Sequence, residues 1–281
     1  MITIARLTIG EAARRKVLWV LVALAVIAVA ITGWGVDRLV HLVREGGAPE
    51  PQVQLGVSQV LIFIAFQFGF VLAMTAAFLG APAIAADIES GIAQGLLSRP
   101  LRRSSYLLGR WLGLAIVVVA YAVGSGLLAI VVVSAISGYQ PPAILLPVAY
   151  LAGQAIVILT FTVLLSTRLP PIAGGAVAVV AYGLAWMAGV LGGVGRALGA
   201  DGLTTIGQVG RVLLPTDGLW RGVLYGLEPP IVIAAVGNQG LAEGNPFFAS
   251  TAPEPLFIAW SWAWIGIVLV LAIVSLRRRE L

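Results

Sequence analysis

Six stretches of this chain are long and apolar enough to cross a bilayer, and a chain that carries six of them can fold only with lipid as part of its solvent. They cover residues 17–33, 56–81, 106–136, 143–165, 172–194 and 256–276. With 60% hydrophobic and 10% charged residues and a mean hydropathy of +1.02, the composition is that of a polytopic membrane protein. The spacing predicts an all-α membrane protein in which residues 1–281 form a single transmembrane domain. The third run is longer than a hydrocarbon layer of about 30 Å requires, so it tilts or extends beyond it. Pro141-Pro142 and Pro170-Pro171 bound the fourth run and stop helices there.

Several function classes are excluded. The chain has no cysteine and one histidine, His41, so thiolate chemistry and a histidine metal cluster are both absent. Its single lysine, Lys16, follows Arg14-Arg15 and not a glycine-rich loop, so there is no P-loop to hold nucleotide phosphates. The net charge of +5 reflects orientation in a membrane and not nucleic-acid binding. Residues 1–16 read as an amphipathic lead before a retained anchor, not as a cleaved signal.

Position gives the charge its meaning. With both termini on one side, 12 of the 17 Lys and Arg residues lie there, in the lead, the 82–105 loop with Arg110 just beyond it, the Arg168 loop and the Arg277-Arg278-Arg279 tail. The positive-inside rule puts that side in the cytoplasm, and the expected location is the cell membrane of a prokaryote. The opposite side carries two larger segments. In the first, Val36, Leu39, Val40 and Val43 share one helical face, which predicts a short interfacial helix. The second, 195–255, is rich in Gly and Pro and too interrupted to span. Its apolar piece 231–236 reads as re-entrant or surface-lying. Trp220, Trp260, Trp262 and Trp264 flank this segment and suit the headgroup layer.

Charges concentrate between the second and third runs, where residues 87–110 hold six of them. Such groups are costly in hydrocarbon, so the segment lies outside it and serves as a docking surface. After Pro82, residues Ile84, Ile88, Ile92 and Leu96 recur every four positions, predicting a short helix with Asp87, Glu89, Ser90 and Gln94 displayed on its other faces. Arg102, Arg103 and Arg110 flank the start of the third helix, within reach of lipid phosphates.

The string E-S-G-I-A-Q-G-L-L-S-R-P-L-R-R-S-S-Y-L-L-G-R, Glu89 to Arg110, resembles the first cytoplasmic loop of type-2 ABC exporter permeases. That loop has a Glu and Gly, a leucine pair, a Pro, an Arg, and Y-L-L-G-[KR] at the start of the third helix. The lead from Ala5 to Trp19 is similar to the family's amphipathic N-terminal segment, and the closest branch in style is the single-domain permeases of the nitrous-oxide maturation and sodium-extrusion type. The resemblance implies six helices with cytoplasmic termini and a cytoplasmic coupling helix between the second and third. It also implies a second permease chain and a separate ATPase that binds ATP and Mg, this chain holding no cofactor. Asp87, Ile88, Glu89, Gly91, Leu96, Leu97 and Arg99 would then contact the ATPase, with Glu89 and Arg99 as its chief polar contacts.

Phe63, Gln67 and Phe70, with Phe66 beside them, and Gln154 are the candidates for a substrate path, because glutamine in an apolar helix faces protein or a cavity. The competing reading for such glutamines is an interhelical hydrogen bond. The small residues Gly174, Gly175, Gly189, Gly192, Gly193 and Gly195 indicate close helix packing, within the chain or at a permease dimer seam. A secondary transporter or channel is the main alternative, yet none of the six runs contains an internal Asp, Glu, Lys or His. A scaffold that relays ATPase motion without transporting is the other.

Overall fold

The computed structural model describes residues 1–14, 16–47, 49–91, 102–236 and 244–279. Those residues form eleven helices and no strand. They are α1 Ile2–Arg14, α2 Lys16–Glu45, α3 Glu50–Gly80, α4 Pro82–Glu89, α5 Arg103–Ser137 and α6 Leu145–Ser166. They continue with α7 Pro171–Leu198, α8 Asp201–Leu213, α9 Thr216–Leu227, α10 Pro230–Val236 and α11 Pro255–Arg277. Six helical stretches are long and apolar enough to cross a membrane: Val22–Glu45, Gln52–Glu89, Arg103–Ser137, Leu145–Ser166, Pro171–Leu198 and Pro255–Arg277. Each overlaps one of the six apolar runs, but the first extends to Glu45 and the second to Glu89, well past residues 33 and 81. This is a multi-pass, all-helical membrane protein.

α6 is the central helix, packed against α3, α5, α9 and α11, with Val157, Ile158, Leu159 and Val163 wholly buried. At one end of the bundle, α1 lies on α5 because two glycines let the backbones approach. A Cβ at Gly113 would stand 2.7 Å from the Ala5 carbonyl oxygen, and one at Gly109 would stand 2.8 Å from Ile4 Cβ. Ala5, Thr8 and Ala12 form the buried stripe of α1, while Ile2 and Leu7 on its other face are exposed. The loops and tail of the same end are knitted by arginines. Arg103 Nη1 donates to the carbonyls of Leu276, Arg277 and Arg279 at the C-terminal end of α11, where carbonyls run out of intrahelical donors. Arg168 donates to Ser275, and Arg279 donates 2.6 Å to the Thr167 carbonyl. Arg103 is thus a cap for the C-terminal end of α11.

Three sequence expectations change at the other end. The Val36, Val40 stripe is helical, but it continues α2 without a break and is buried against the bundle instead of lying as a separate interfacial helix. The 195–255 segment is not loop-like: α8 folds back along α7, and α9 then rises along α6. The register is fixed by glycines, with Gly207 Cα 2.7 Å from a Cβ built on Gly192, and with Gly218, Gly222 and Gly226 of α9 meeting Phe257, Tyr150 and Pro147. Thirteen residues of α8 carry the chain about 20 Å inward before it turns at Leu214-Pro215.

Non-helical backbone at that depth needs partners from elsewhere. Trp260 Nε1 donates to the Val212 carbonyl (3.2 Å), Trp264 Nε1 to that of Leu213 (2.9 Å) and Gln154 Nε2 to that of Thr216 (2.9 Å). Trp220 is buried and donates to Pro246. Of the four tryptophans read as headgroup anchors, Trp262 alone remains largely exposed. The others close hydrogen bonds inside the protein. The glycine row of α7 likewise packs within the chain, against α8, α9 and Phe78.

Candidate functional site

α3 and α4 form almost one helical column. Pro82 at the first turn of α4 bends the chain without ending it, since the Ala81 N–H still donates to Ala77. Ala83, Ile84 and Ala85 wedge α4 among α5, α6 and α7, so its tip is rigidly joined to the bundle. Glu89 and Ser90 at that tip are exposed and Ile88 is half-buried. α4 stops at Glu89 because Gly91 adopts φ +73°, a left-handed conformation that glycine accepts freely. Among the described residues nothing lies within 4 Å of a Cβ built there, so Gly91 serves the left-handed end of α4 and not close packing. Ile92, Gln94, Leu96, Leu97, Arg99 and Glu243 lie outside the described residues.

Asp87 is not displayed beside Glu89. It is buried, and its Oδ2 accepts hydrogen bonds from Tyr106 Oη and Arg110 Nη2, while Arg110 Nη1 also pairs with Glu11 at 2.5 Å. The Y-L-L-G-R string therefore has a structural meaning that its charges alone concealed. Tyr106 and Arg110 hold α4, Leu107 is core, and Gly109 seats α1. Arg110 faces this network and not lipid phosphates. One ion cluster thus ties the lead helix, the α4 tip and the start of α5.

The residues proposed for a path separate. Phe63, Gln67 and Phe70 share one exposed face of α3, and Gln67 lines a cavity of about 360 Å3 with Thr32, Phe68 and Tyr121, between α2, α3 and α5. Gln154 is elsewhere, buried and spent on the Thr216 carbonyl. Phe66 turns into the core, 5.5 Å from Trp186, 5.7 Å from Trp220 and 5.2 Å from Phe247 between ring centroids.

The family model described as ABC-2 family transporter protein matches residues 2–281. The chain belongs to this family. Among curated proteins, none matches it. In this ABC-2 protein the match spans α1 as well as the six crossing helices, so the lead helix is part of the domain. Permeases of the family work with an ABC ATPase partner and are themselves non-catalytic membrane subunits.

Charged groups that the apolar runs do not contain are carried inward by α8 and α9. Asp217, buried at the start of α9, accepts from Arg211 Nε at 2.8 Å and has Arg221 Nε 3.6 Å away. Gly189 makes room for it, because a Cβ there would overlap the carboxylate. Glu228 follows α9 and is fully buried, with neither oxygen in a well-formed hydrogen bond. Burial pushes its carboxyl up to about 8, opposed in part by the Ala249 backbone amide. The six apolar runs contain no internal Asp, Glu, Lys or His, but the crossing helices carry Asp37, His41 and Asp87 beyond those runs, and the bundle interior holds Asp217 and Glu228. Sequence reasoning missed this cluster. The signal available was the G-x-x-x-G-x-x-x-G spacing of Gly218, Gly222 and Gly226, which marks a helix packed on all sides.

Proposed function

We propose that this ABC-2 protein is the membrane permease of an exporter, driven by ATP hydrolysis on a separate ATPase chain that docks at the α4 tip. The observation that carries the reading is the exposed Glu89–Ser90–Gly91 tip at the end of a column continuous with α3. Force applied there moves the face bearing Phe63, Gln67 and Phe70. That face pairs with a second permease chain, identical or related, and lines the substrate path at the joint. Glu89, with Leu96, Leu97 and Arg99 beyond it, makes the ATPase contact, and Asp87 and Ile88 brace the tip from behind. The termini and the arginine-bonded loops lie on the cytoplasmic side of the cell membrane, and ATP and Mg bind the partner.

Purification of the tagged chain from its native host tests this reading. A P-loop ATPase copurifies, and Glu89→Ala weakens that association about 10- to 100-fold, the loss expected for one charge-assisted contact of roughly 1.5–3 kcal/mol. Arg102→Ala has a smaller effect. A functional transporter recovered without any ATPase contradicts the reading.

A further inference from the structure

A cavity of about 270 Å3 opens at the α8–α9 end of the molecule, lined by Arg196 of α7, Arg211 of α8, Arg221 of α9 and the segment from Phe248 to Thr251. Guanidiniums from three helices converge on it. Arg211 and Arg221 share a single carboxylate, Asp217, whose Oδ2 faces both. One carboxylate offers about four lone-pair sites against five N–H donors on each guanidinium, so it cannot saturate the pair. Accordingly Arg211 Nη2 and Arg221 Nε are buried without a hydrogen-bond partner among the described residues, where Asp217 is the one carboxylate paired with the two guanidiniums. Burial pushes the Arg221 pKa down; Asp217 opposes that push, and Arg211 and Arg196 add to it. A site that holds like charges this close gains stability from a second anion.

We propose that this cavity binds a phosphate-type oxyanion, bridging Arg196, Arg211 and Arg221 so that α7, α8 and α9 are held together. Arginine forks match phosphate geometry, and donors arriving from three helices suit a tetrahedral anion better than a planar carboxylate. The hydroxyls of Ser250 and Thr251, the latter exposed at the rim, complete a polar wall. The volume is just below the range of ligand pockets, which suits a headgroup-sized anion and not a large organic molecule. The same chemistry is offered by free phosphate and by the phosphodiester of an anionic lipid. This inference rests on the single chain and does not require the docking of an ATPase.

Binding is measured on the full chain in nanodiscs of phosphatidylcholine, with inorganic phosphate titrated from solution, and in nanodiscs that also contain phosphatidylglycerol, with bound lipid counted by native mass spectrometry. The expected result is saturable binding in at least one arm. Solution phosphate identifies a free anion, and retention of phosphatidylglycerol alone identifies a headgroup. Arg211→Gln with Arg221→Gln weakens the binding at least tenfold, whereas Arg38→Gln, an exposed arginine outside the cavity, leaves it unchanged. Should the double variant fail to fold, Ser250→Glu supplies a tethered carboxylate and blocks binding with the arginines intact. Absence of saturable binding in both arms, or binding that survives both the double substitution and Ser250→Glu, overturns the proposal.

Discussion

Removing the Asp87 carboxylate leaves the Arg110 guanidinium, whose side chain is 15% exposed, with Glu11 as its remaining acid partner. Breaking one side of a buried pair is costly, so Asp87→Ala is expected to destabilise the solubilised protein by about 3 kcal/mol. Arg110→Ala costs a similar amount, and the double variant costs clearly less than the sum, as shared interactions require. Thermal unfolding of the four proteins measures the coupling, and simple additivity contradicts the network. Glu228 gives a pH signature. An unfolded glutamate titrates near about 4.3, against about 8 in the fold. Between these values the unfolded chain releases a proton that the folded chain keeps, so this group's contribution falls as pH rises through that window and is flat above it. Glu228→Gln is expected to remove that slope and to be more stable than wild type near about pH 9 by about 1–3 kcal/mol. Equal melting profiles across the window for the two proteins would refute the assignment.

The re-entrant pair α8–α9 is the element whose existence depends most on distant residues. At its crossing with α7, Gly192 and Gly207 meet backbone to backbone. Gly207→Ala forces the helices apart and is expected to cost about 1–3 kcal/mol. Gly183→Ala in α7, where nothing lies within 4 Å, is expected to be neutral or stabilising, because alanine favours a helix over glycine. Melting temperatures of the two variants decide the point, and equal losses would mean that the close approach is wrong. The spans were legible in the sequence because each apolar run is long enough to declare itself. The re-entrant pair was not: α8 and α9 are short, interrupted by glycine, and carry Asp201, Arg211, Asp217 and Arg221, which read locally as a solvated loop. What makes them fit, Trp260, Trp264 and Gln154 reaching the carbonyls of the turn, lies about 50 to 60 residues away in sequence. Asp87 was misplaced for the same reason, since an exposed position in a loop and a buried one beside Tyr106 and Arg110 share one sequence pattern.

At the scale of the whole molecule the two ends differ in kind. One end carries the lead helix, the exposed α4 tip and the arginine-capped tail. The other buries its charges in a re-entrant hairpin beside an arginine-lined cavity. On the function proposed above, a motor docked on the first end would act through the α3–α4 column on the face bearing Phe63, Gln67 and Phe70. Because the chain contains no cysteine, a single one can be placed at will. The most direct measurement is crosslinking of Glu89→Cys and, separately, Glu254→Cys in membranes of the native host, with the attached protein identified by mass spectrometry. A P-loop ATPase crosslinked from position 89 and not from position 254, with a yield that changes on adding ATP, is the result expected. A P-loop ATPase attached at position 254 but not at 89, or none at either, contradicts the account.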